Sequence, residues 1–202
     1  MKLQKTTLIL IFIALILAIG VYFLEIQRAS QPNNNQVNQQ KLFDFNESEI
    51  VGLTISKIID NKPQVIALAK EDQKTSLWQM QQPENSSAND AVVDFLVGLL
   101  VETRTNLPLV VTDNQFLEYG LNLPLATIEI KLQNQQTFTL ILGKQTFDKG
   151  SLYAYREAGN KNVENKTSTS TKPSDQPKQV IIVPLNFQNA VDRPLSEWKI
   201  SP

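Results

Sequence analysis

The sequence predicts an α+β protein in which an N-terminal transmembrane helix precedes antiparallel sheet covered by two or three helices. Three observations support this prediction: an apolar run at residues 8–24, strict apolar/polar alternation in several later segments, and apolar residues at helical spacing from 92 to 100. The order strand, strand, short strand, helix occurs in residues 51–100 and again in residues 127–191. The domain therefore has an alternative description as two β-β-β-α units.

The apolar run is long enough to cross a bilayer. Residues 6–24 are nineteen uncharged residues, or about 28 Å of helix, against roughly 30 Å of hydrocarbon. Lys2 and Lys5 precede the run and favour a cytoplasmic N-terminus. Tyr22 and Phe23 stand where a signal peptidase needs small residues. We expect residues 1–27 to remain as an uncleaved anchor.

The remaining chain divides into a linker and one domain. Residues 28–41 are polar and rich in Asn and Gln, as is typical of a flexible spacer. Residues 42–202 then form the domain, which the orientation of the anchor places in a periplasm or a thylakoid lumen. Within it, residues 158–178 are rich in Asn, Lys, Ser and Thr, which predicts a flexible loop.

Composition excludes several classes of function. The net charge is −1, which provides no electrostatic footprint for nucleic acid. The chain has no cysteine and no histidine. Disulfides, thiolate chemistry and every His-dependent catalytic triad are therefore excluded, and the commonest transition-metal ligand is missing. We expect no cofactor, no metal and no catalytic site.

The first half of the domain is predicted as three strands and a helix. Alternation marks a strand at residues 51–56, a second follows at 64–70, and a third at 77–80. Ser87 is the predicted N-cap of a helix reaching residue 100, with Asp90 at its positive end. Residues 101–109 are expected to be extended.

The second half is predicted to contain a hairpin followed by further strands. Asp113 is the predicted cap of a short helix, which Gly120 ends in a left-handed conformation with Leu121 as its apolar partner. Alternation then predicts a hairpin of residues 127–132 and 137–142. Strands at 152–156 and 179–183 and a short helix at 185–191 complete the domain.

Several blocks of this sequence resemble a known bacterial family. They are Leu77-Trp78 with Pro83, Ala88-Asn-Asp90, Tyr119-Gly120-Leu121 with Pro124, Leu140-Ile-Leu-Gly143 and Leu152-Tyr-Ala-Tyr-Arg156. Together they resemble the domain of unknown function 4340 family, over most of residues 42–198. The resemblance is to short cyanobacterial members with a single anchor. It implies a membrane-anchored protein of no established activity. Some members of the family resemble auxiliary components of gliding-motility-type ABC transporters. Residues 158–178 depart from the family pattern.

Three groups of residues could take part in catalysis or nucleotide binding, but a structural role explains each of them better. Asp90 and Asp94 are four residues apart and could pair as acid–base groups, but helix solvation and the helix dipole explain them. Lys149 and Ser151 could form a nucleophile pair, but Gly150 between them indicates a turn. Gly143-Lys144 lacks the first glycine and the hydroxyl residue of a phosphate loop.

Aromatic residues provide the candidates for contact with a partner. Aromatic side chains are enriched at interface anchors, although core packing also explains them on strands, and a helix cap explains the Tyr-Gly-Leu turn. The candidate partner-binding residues are Trp78, Tyr119, Gly120, Leu121, Tyr153 and Tyr155.

Anchor, linker and the missing catalytic groups together predict a non-enzymatic role. We expect a membrane-anchored accessory protein, scaffold or assembly factor that binds a protein partner in a membrane complex. One alternative is a ligand-binding auxiliary module of an ABC-type transporter. A second alternative is a hydrolase that acts on envelope material through carboxylates or a Ser/Lys pair.

Overall fold

The computed structural model describes residues 39–70, 77–157 and 178–200. The predicted anchor, nearly all of the predicted linker and almost the whole predicted loop 158–178 lie outside these residues. Within the described part, no helix is both long and apolar enough to span a bilayer. The described elements all belong to one unit, Gln40–Pro202.

The described residues contain eleven strands and three α-helices. The strands are β1 (Gln40–Lys41), β2 (Ile50–Ile59), β3 (Lys62–Lys70), β4 (Trp78–Gln82), β5 (Ser86–Ser87), β6 (Arg104–Thr105), β7 (Leu109–Val111), β8 (Ala126–Leu132), β9 (Thr137–Gln145), β10 (Ser151–Glu157) and β11 (Lys178–Pro184). The helices are α1 (Asp90–Glu102), α2 (Asp113–Glu118) and α3 (Asn186–Val191), with 3₁₀ turns at Glu47–Glu49 and Leu195–Glu197.

Nine of these strands form one antiparallel sheet, which confirms the predicted sheet-rich α+β class. Its order is β5-β4-β3-β2-β8-β9-β10-β11-β7, while β1 and β6 pair separately. The centre is the β2–β8 pair, in which Ile55 lies opposite Ile128 and Leu53 opposite Ile130. The predicted hairpin is confirmed as β8 and β9, with Ile130 opposite Phe138.

The main core lies on one face of the sheet. Because side chains alternate along a strand, Leu53, Ile55, Ile128 and Ile130 all point to this face. Helix α1 buries one apolar stripe against them, and α3 adds a second. The buried helical side chains are Val92, Val93, Leu96, Val97, Leu100, Phe187, Ala190 and Val191.

The other face of the sheet is polar in its middle and apolar near one edge. Half-buried Thr54, Ser56 and Thr127 and exposed Glu129 occupy the middle. Near β7, the rings of Tyr153 and Tyr155 pack with α2 on this face. The helix therefore covers only the part of the sheet where the sequence is aromatic.

Helix α1 and the residues around it differ from the sequence prediction. It begins at Asp90 rather than after Ser87, because Ser86 and Ser87 pair with β4 as strand β5. It also continues to Glu102, so the segment predicted as extended from residue 101 starts as helix and then forms β6 and β7.

The cap of α2 and the start of β11 also differ from the sequence prediction. Thr112, rather than Asp113, caps α2, because its hydroxyl accepts from the Gln115 amide while Gln115 accepts from the Thr112 amide. Lys178, predicted as the last residue of a loop, begins β11 opposite Val111.

Candidate partner-binding surface

A small apolar cluster lies between α2 and the sheet, apart from the main core. Val111, Leu121 and Val180 are its buried centre. Half-buried aromatic rings pack around that centre, and we call Phe116, Tyr119, Tyr153 and Tyr155 the tyrosine surface. Strand pairing positions two of its rings, because Tyr153 lies opposite Ile182 and Tyr155 opposite Val180.

The rings of the tyrosine surface form two ordered pairs. Tyr119 and Tyr153 stack with their centroids 4.0 Å apart and their planes at 12°. Phe116 and Tyr155 meet edge to face at 5.3 Å and 85°. Lys178 lies over the Phe116 ring at 4.3 Å and also forms a 2.9 Å ion pair with Asp113. Rings held in this way can contact a partner with little loss of side-chain entropy.

The Tyr119-Gly120-Leu121 turn fits directly onto strand β9. Gly120 has φ +73°, as expected for a residue that ends a helix in the left-handed region. The Lys144 amide donates to the Tyr119 carbonyl at 2.8 Å. A side chain at Gly143 would place its Cβ 2.4 Å from that carbonyl oxygen. The Tyr119-Gly120-Leu121 turn therefore packs directly against β9 at Leu142-Gly143.

Five of the six predicted partner-binding residues lie together in this region. Tyr119, Gly120 and Leu121 form the turn that follows α2, and Tyr153 and Tyr155 lie on β10, more than thirty residues later in the chain. Trp78 lies apart from them on β4, where it is 2% exposed in the main core. Among the predicted partner-binding residues, the accessible aromatic ones are therefore the three tyrosines.

Sequence reasoning missed Phe116 and the exposed apolar residues that border the cluster. Phe116 lies three positions before Tyr119, so helical spacing could have placed both on one face. Leu109, Leu117 and Ile182 are 45%, 50% and 36% exposed. Leu109 lies opposite Val180 and so enters this region through pairing of β7 with β11. No local sequence pattern indicates that β7 and β11 pair.

A cleft of about 380 Å³ lies beside the β8–β9 turn. Its floor holds a cluster of three phenylalanine rings, in which Phe45 is 5.0 Å from Phe43 and 5.3 Å from Phe138. Its polar lining consists of Asp44, Glu49, Asn134, Gln136 and Arg156. The Arg156 guanidinium donates to the Leu42 carbonyl, which holds it at the wall of the cleft.

The carboxylates singled out as chemical candidates have different surroundings. Asp90 accepts from the Trp78 amide at 3.0 Å and so joins the start of α1 to β4. Asp94 lines a cleft of about 570 Å³ together with Glu47 and Lys70. For the hydrolase alternative, Asp94 therefore shares a cleft with a second carboxylate, as Asp44 and Glu49 do in the cleft beside the β8–β9 turn, whereas Asp90 has a structural contact.

The other two chemical candidates lie in ordinary backbone structure. Gly143 and Lys144 are within strand β9, not in a loop that leads into a helix as a phosphate loop requires. Lys149 has φ +58° in the turn between β9 and β10, where its amide donates to the Thr146 carbonyl. Strand geometry thus accounts for Gly143-Lys144, and turn geometry accounts for Lys149.

One titratable side chain is buried elsewhere in the molecule. Lys57 is 9% exposed, and its ammonium donates to the Val191 carbonyl at 2.7 Å. Burial lowers the pKa of Lys57, while the nearby Asp192 carboxylate opposes that change. Val191 is the last residue of α3, so this lysine binds the negative end of a helix.

In residues 39–70, 77–157 and 178–200, no three Asp, Glu, His or Cys side chains form a group that could hold a metal ion.

Comparison of the chain with protein-family models, with curated proteins and with solved structures finds no match. The resemblance to the domain of unknown function 4340 family thus stays a prediction from the sequence blocks.

Proposed function

We propose that the protein is a membrane-tethered, non-enzymatic accessory factor whose domain binds a protein partner through the tyrosine surface. The partner belongs to a membrane complex, because the predicted anchor at residues 8–24 confines the domain to one membrane. The domain lies on the side opposite the cytoplasmic N-terminus, in a periplasm or thylakoid lumen. The chain thereby acts as a scaffold or assembly factor.

The observation that supports this proposal is the half-buried aromatic cluster beside exposed apolar side chains. Tyr119 and Tyr153 are already ordered by stacking at 4.0 Å. Leu109, Leu117 and Ile182 add exposed apolar area around them. Buried aromatic anchors with an apolar surround are the usual energetic centre of a protein interface.

Photo-crosslinking in native membranes tests the proposal. The full chain carries a benzoyl-phenylalanine at position 117 or 182 in turn and a C-terminal tag. We expect one discrete adduct from both positions, because Leu117 follows Phe116 on α2 and Ile182 lies opposite Tyr153. Ile182→Lys should then abolish co-purification of the same partner, since a lysine would bury an unpaired charge in the interface.

A position far from the tyrosine surface provides the matched control. Leu77 precedes β4 and is 50% exposed, the same fraction as Leu117. A crosslinker at position 77 should give no such adduct, and Leu77→Lys should leave co-purification intact. Equal adducts from positions 77 and 117, or none from 117 and 182, would contradict the proposal.

The cleft of about 380 Å³ favours a second candidate, a ligand-binding auxiliary module of a transporter. Its volume lies within the range of small-molecule sites, and it joins an aromatic floor to one arginine. Anilinonaphthalene sulfonate, an aromatic anion, is a suitable probe. Its fluorescence should be weaker with the Arg156→Gln chain than with the natural full chain. Equal fluorescence from the two chains, with unchanged melting temperature, would reject this candidate.

We also propose that the domain consists of two β-β-β-α units that share one sheet. The strand order β4-β3-β2-β8-β9-β10 supports this, because the two first strands meet at the centre and the later ones follow outward. Helix α1 follows the first set and α3 the second. Each unit also has one further strand before its helix, β5 in the first unit and β11 in the second, and each pairs with the outer side of the third strand.

A further inference from the structure

Four apolar side chains are exposed at one end of the sheet, two on turns or bends between strands and two at the end of β2. Phe147, Leu123, Ile58 and Ile59 are 102%, 78%, 66% and 44% exposed. We call these four residues the apolar rim. Large apolar side chains exposed together, rather than singly, mark an interaction site.

Strand pairing places the whole apolar rim at the same end. Ser56 lies opposite Thr127, so Ile58 and Ile59 extend past the start of β8, where Leu123 precedes the strand. The β9–β10 turn that carries Phe147 is at this end too, and Leu123 shares a shallow cleft with Lys144 and Gln145. Strands β2, β8, β9 and β10 are neighbours, so at about 4.8 Å per strand the rim spans roughly 15 Å.

Tight turns hold these side chains outward. Asp60 and Asn61 have φ +51° and +60° and form a two-residue hairpin turn next to Ile59. In the other turn, Asp148 accepts from the Thr146 hydroxyl at 2.6 Å and from the Gly150 amide at 3.1 Å. Phe147 thus projects from a hydrogen-bonded loop, and its exposure is a property of the turn.

Three lysines lie next to residues of the apolar rim or to the turns that carry them. Lys62, Lys144 and Lys149 lie beside it, and none of them forms an ion pair with a side chain of the described ranges. Two carboxylates, Asp60 and Asp148, are also present. The Asp148 carboxylate is turned into its own loop, and those hydrogen bonds lower its pKa. Three lysines and two carboxylates therefore border the rim, and Asp148 keeps its negative charge.

The opposite end of the sheet has a different character. The β8–β9 turn there consists of Gln133, Asn134, Gln135 and Gln136. The described chain also begins at this end, where the Leu42 carbonyl accepts from Arg156. The apolar rim and the start of the described chain thus lie at opposite ends of the strands.

We infer that the apolar rim is a bilayer-contacting surface, with its side chains at the boundary between headgroups and acyl chains and its lysines among anionic headgroups. Convex apolar tips flanked by lysines match an interfacial lipid contact, whereas the ordered rings of a protein interface are on the tyrosine surface. This inference rests on the tether of the proposed function. A tethered domain meets the bilayer at high effective concentration, so a weak contact suffices.

The length of the predicted spacer allows the rim to reach the membrane that holds the anchor. Residues 29–40 span at most about 40 Å when fully extended, at roughly 3.3 Å per residue. A strand of ten residues such as β2 is about 33 Å long. The fully extended spacer is therefore longer than the strand that separates the polar end of the sheet from the rim.

Single-cysteine labelling of the full chain tests this inference, because the natural sequence has no cysteine. Phe147→Cys, Leu123→Cys and Ile58→Cys each carry an environment-sensitive nitrobenzoxadiazole label in vesicles of phosphatidylcholine and phosphatidylglycerol. We expect a shift of emission to shorter wavelength and a loss of fluorescence when the lipids carry nitroxide quenchers. Phe147→Ser in the Leu123→Cys background should remove that quenching.

Two positions provide controls for the labelled rim. Gln135 is exposed in the polar turn, and Ile200 is 59% exposed, close to the 66% of Ile58. Labels at Gln135→Cys and Ile200→Cys should keep their fluorescence with quencher lipids. An emission shift at position 147 without lipid quenching would indicate self-association and would overturn the inference, as would equal quenching at position 200.

Vesicle flotation separates failure of the rim from failure of the tether. A chain that floats with the vesicles but shows no quenching at the rim refutes only the lipid contact. A chain that does not float refutes both the tether and the lipid contact. Partner crosslinking at positions 117 and 182 is measured independently of both outcomes.

Discussion

Lys57 shows how one buried side chain links packing to pH. Its ammonium binds the Val191 carbonyl at the end of α3, and burial lowers its pKa below the ordinary value of 10.5. Between the lowered pKa and 10.5, the unfolded chain holds more protons than the folded one. The contribution of Lys57 to the free energy of unfolding therefore rises with pH across that window.

Replacement of Lys57 by methionine makes this pH dependence measurable. We expect the stability of the natural protein relative to Lys57→Met to increase as pH rises through the window, and to be constant below it. Urea unfolding at a series of pH values gives both free energies, and their difference removes the titration of other groups. A difference that falls with rising pH would contradict the assigned direction of the pKa change.

Gly143 is a residue whose missing side chain makes a contact possible. A Cβ there would lie 2.4 Å from the Tyr119 carbonyl oxygen and 3.0 Å from a Leu121 methyl carbon. Gly143→Ala should therefore lower the free energy of unfolding by about 1–3 kcal/mol, the usual cost of overpacking. The Tyr119-Gly120-Leu121 turn would separate from β9, so crosslinking from position 117 should weaken as well.

Gly98 provides the matched control for this substitution. It lies inside α1, and a Cβ built on it meets no atom within 4 Å. Gly98→Ala should raise the free energy of unfolding by up to about 1 kcal/mol, since alanine favours a helix interior over glycine. Similar destabilisation by both alanines in urea denaturation would show that the Tyr119 contact is not the cause.

At the scale of elements, α1 and β4 are joined by one carboxylate. Asp90 accepts from the Trp78 amide and also occupies the positive end of the helix. Asp90→Ala should cost about 2 kcal/mol, because a hydrogen bond to a charged acceptor and a dipole contact are lost together. Asp94→Ala, one turn later on the exposed face, should cost much less. Equal costs in urea unfolding would refute the structural role of Asp90.

Elements with strong local periodicity were predicted well. The β8–β9 hairpin and the apolar stripe of α1 follow from alternation and helical spacing, which neighbouring residues determine. Strand β7 was not predicted, because its three residues become a strand only by pairing with β11 almost seventy residues later. The first turn of α1 was misplaced for a similar reason, since Ser87 pairs with Gln79 instead of capping the helix.

The candidate surface could be predicted in part. Tyr119, Tyr153 and Tyr155 were chosen for their chemistry, and the sheet register brings them together. Trp78 was chosen for the same chemistry, but its position on the core face of β4 buries it. Phe147 was not singled out, because the sequence indicates a turn there but not the direction in which a turn side chain points.

At the scale of the whole molecule, the two proposed units share one core. A single buried cluster contains Met80 and Leu96 of the first unit together with Leu140 and Phe187 of the second. The central β2–β8 pair lies inside this cluster. Neither unit has a separate core of its own beneath its helix, which favours one cooperative domain over two lobes.

Equilibrium unfolding tests that cooperativity. Both tryptophans, Trp78 and Trp198, contact the first unit, because the Asn89 amide donates to the Trp198 carbonyl. Leu140 is fully buried on β9 in the second unit, so Leu140→Ala should cost about 2–5 kcal/mol. In urea, tryptophan fluorescence and far-UV circular dichroism should then move together to the same lower midpoint. A fluorescence midpoint that stays unchanged while the dichroism midpoint falls would mean that the two units unfold separately.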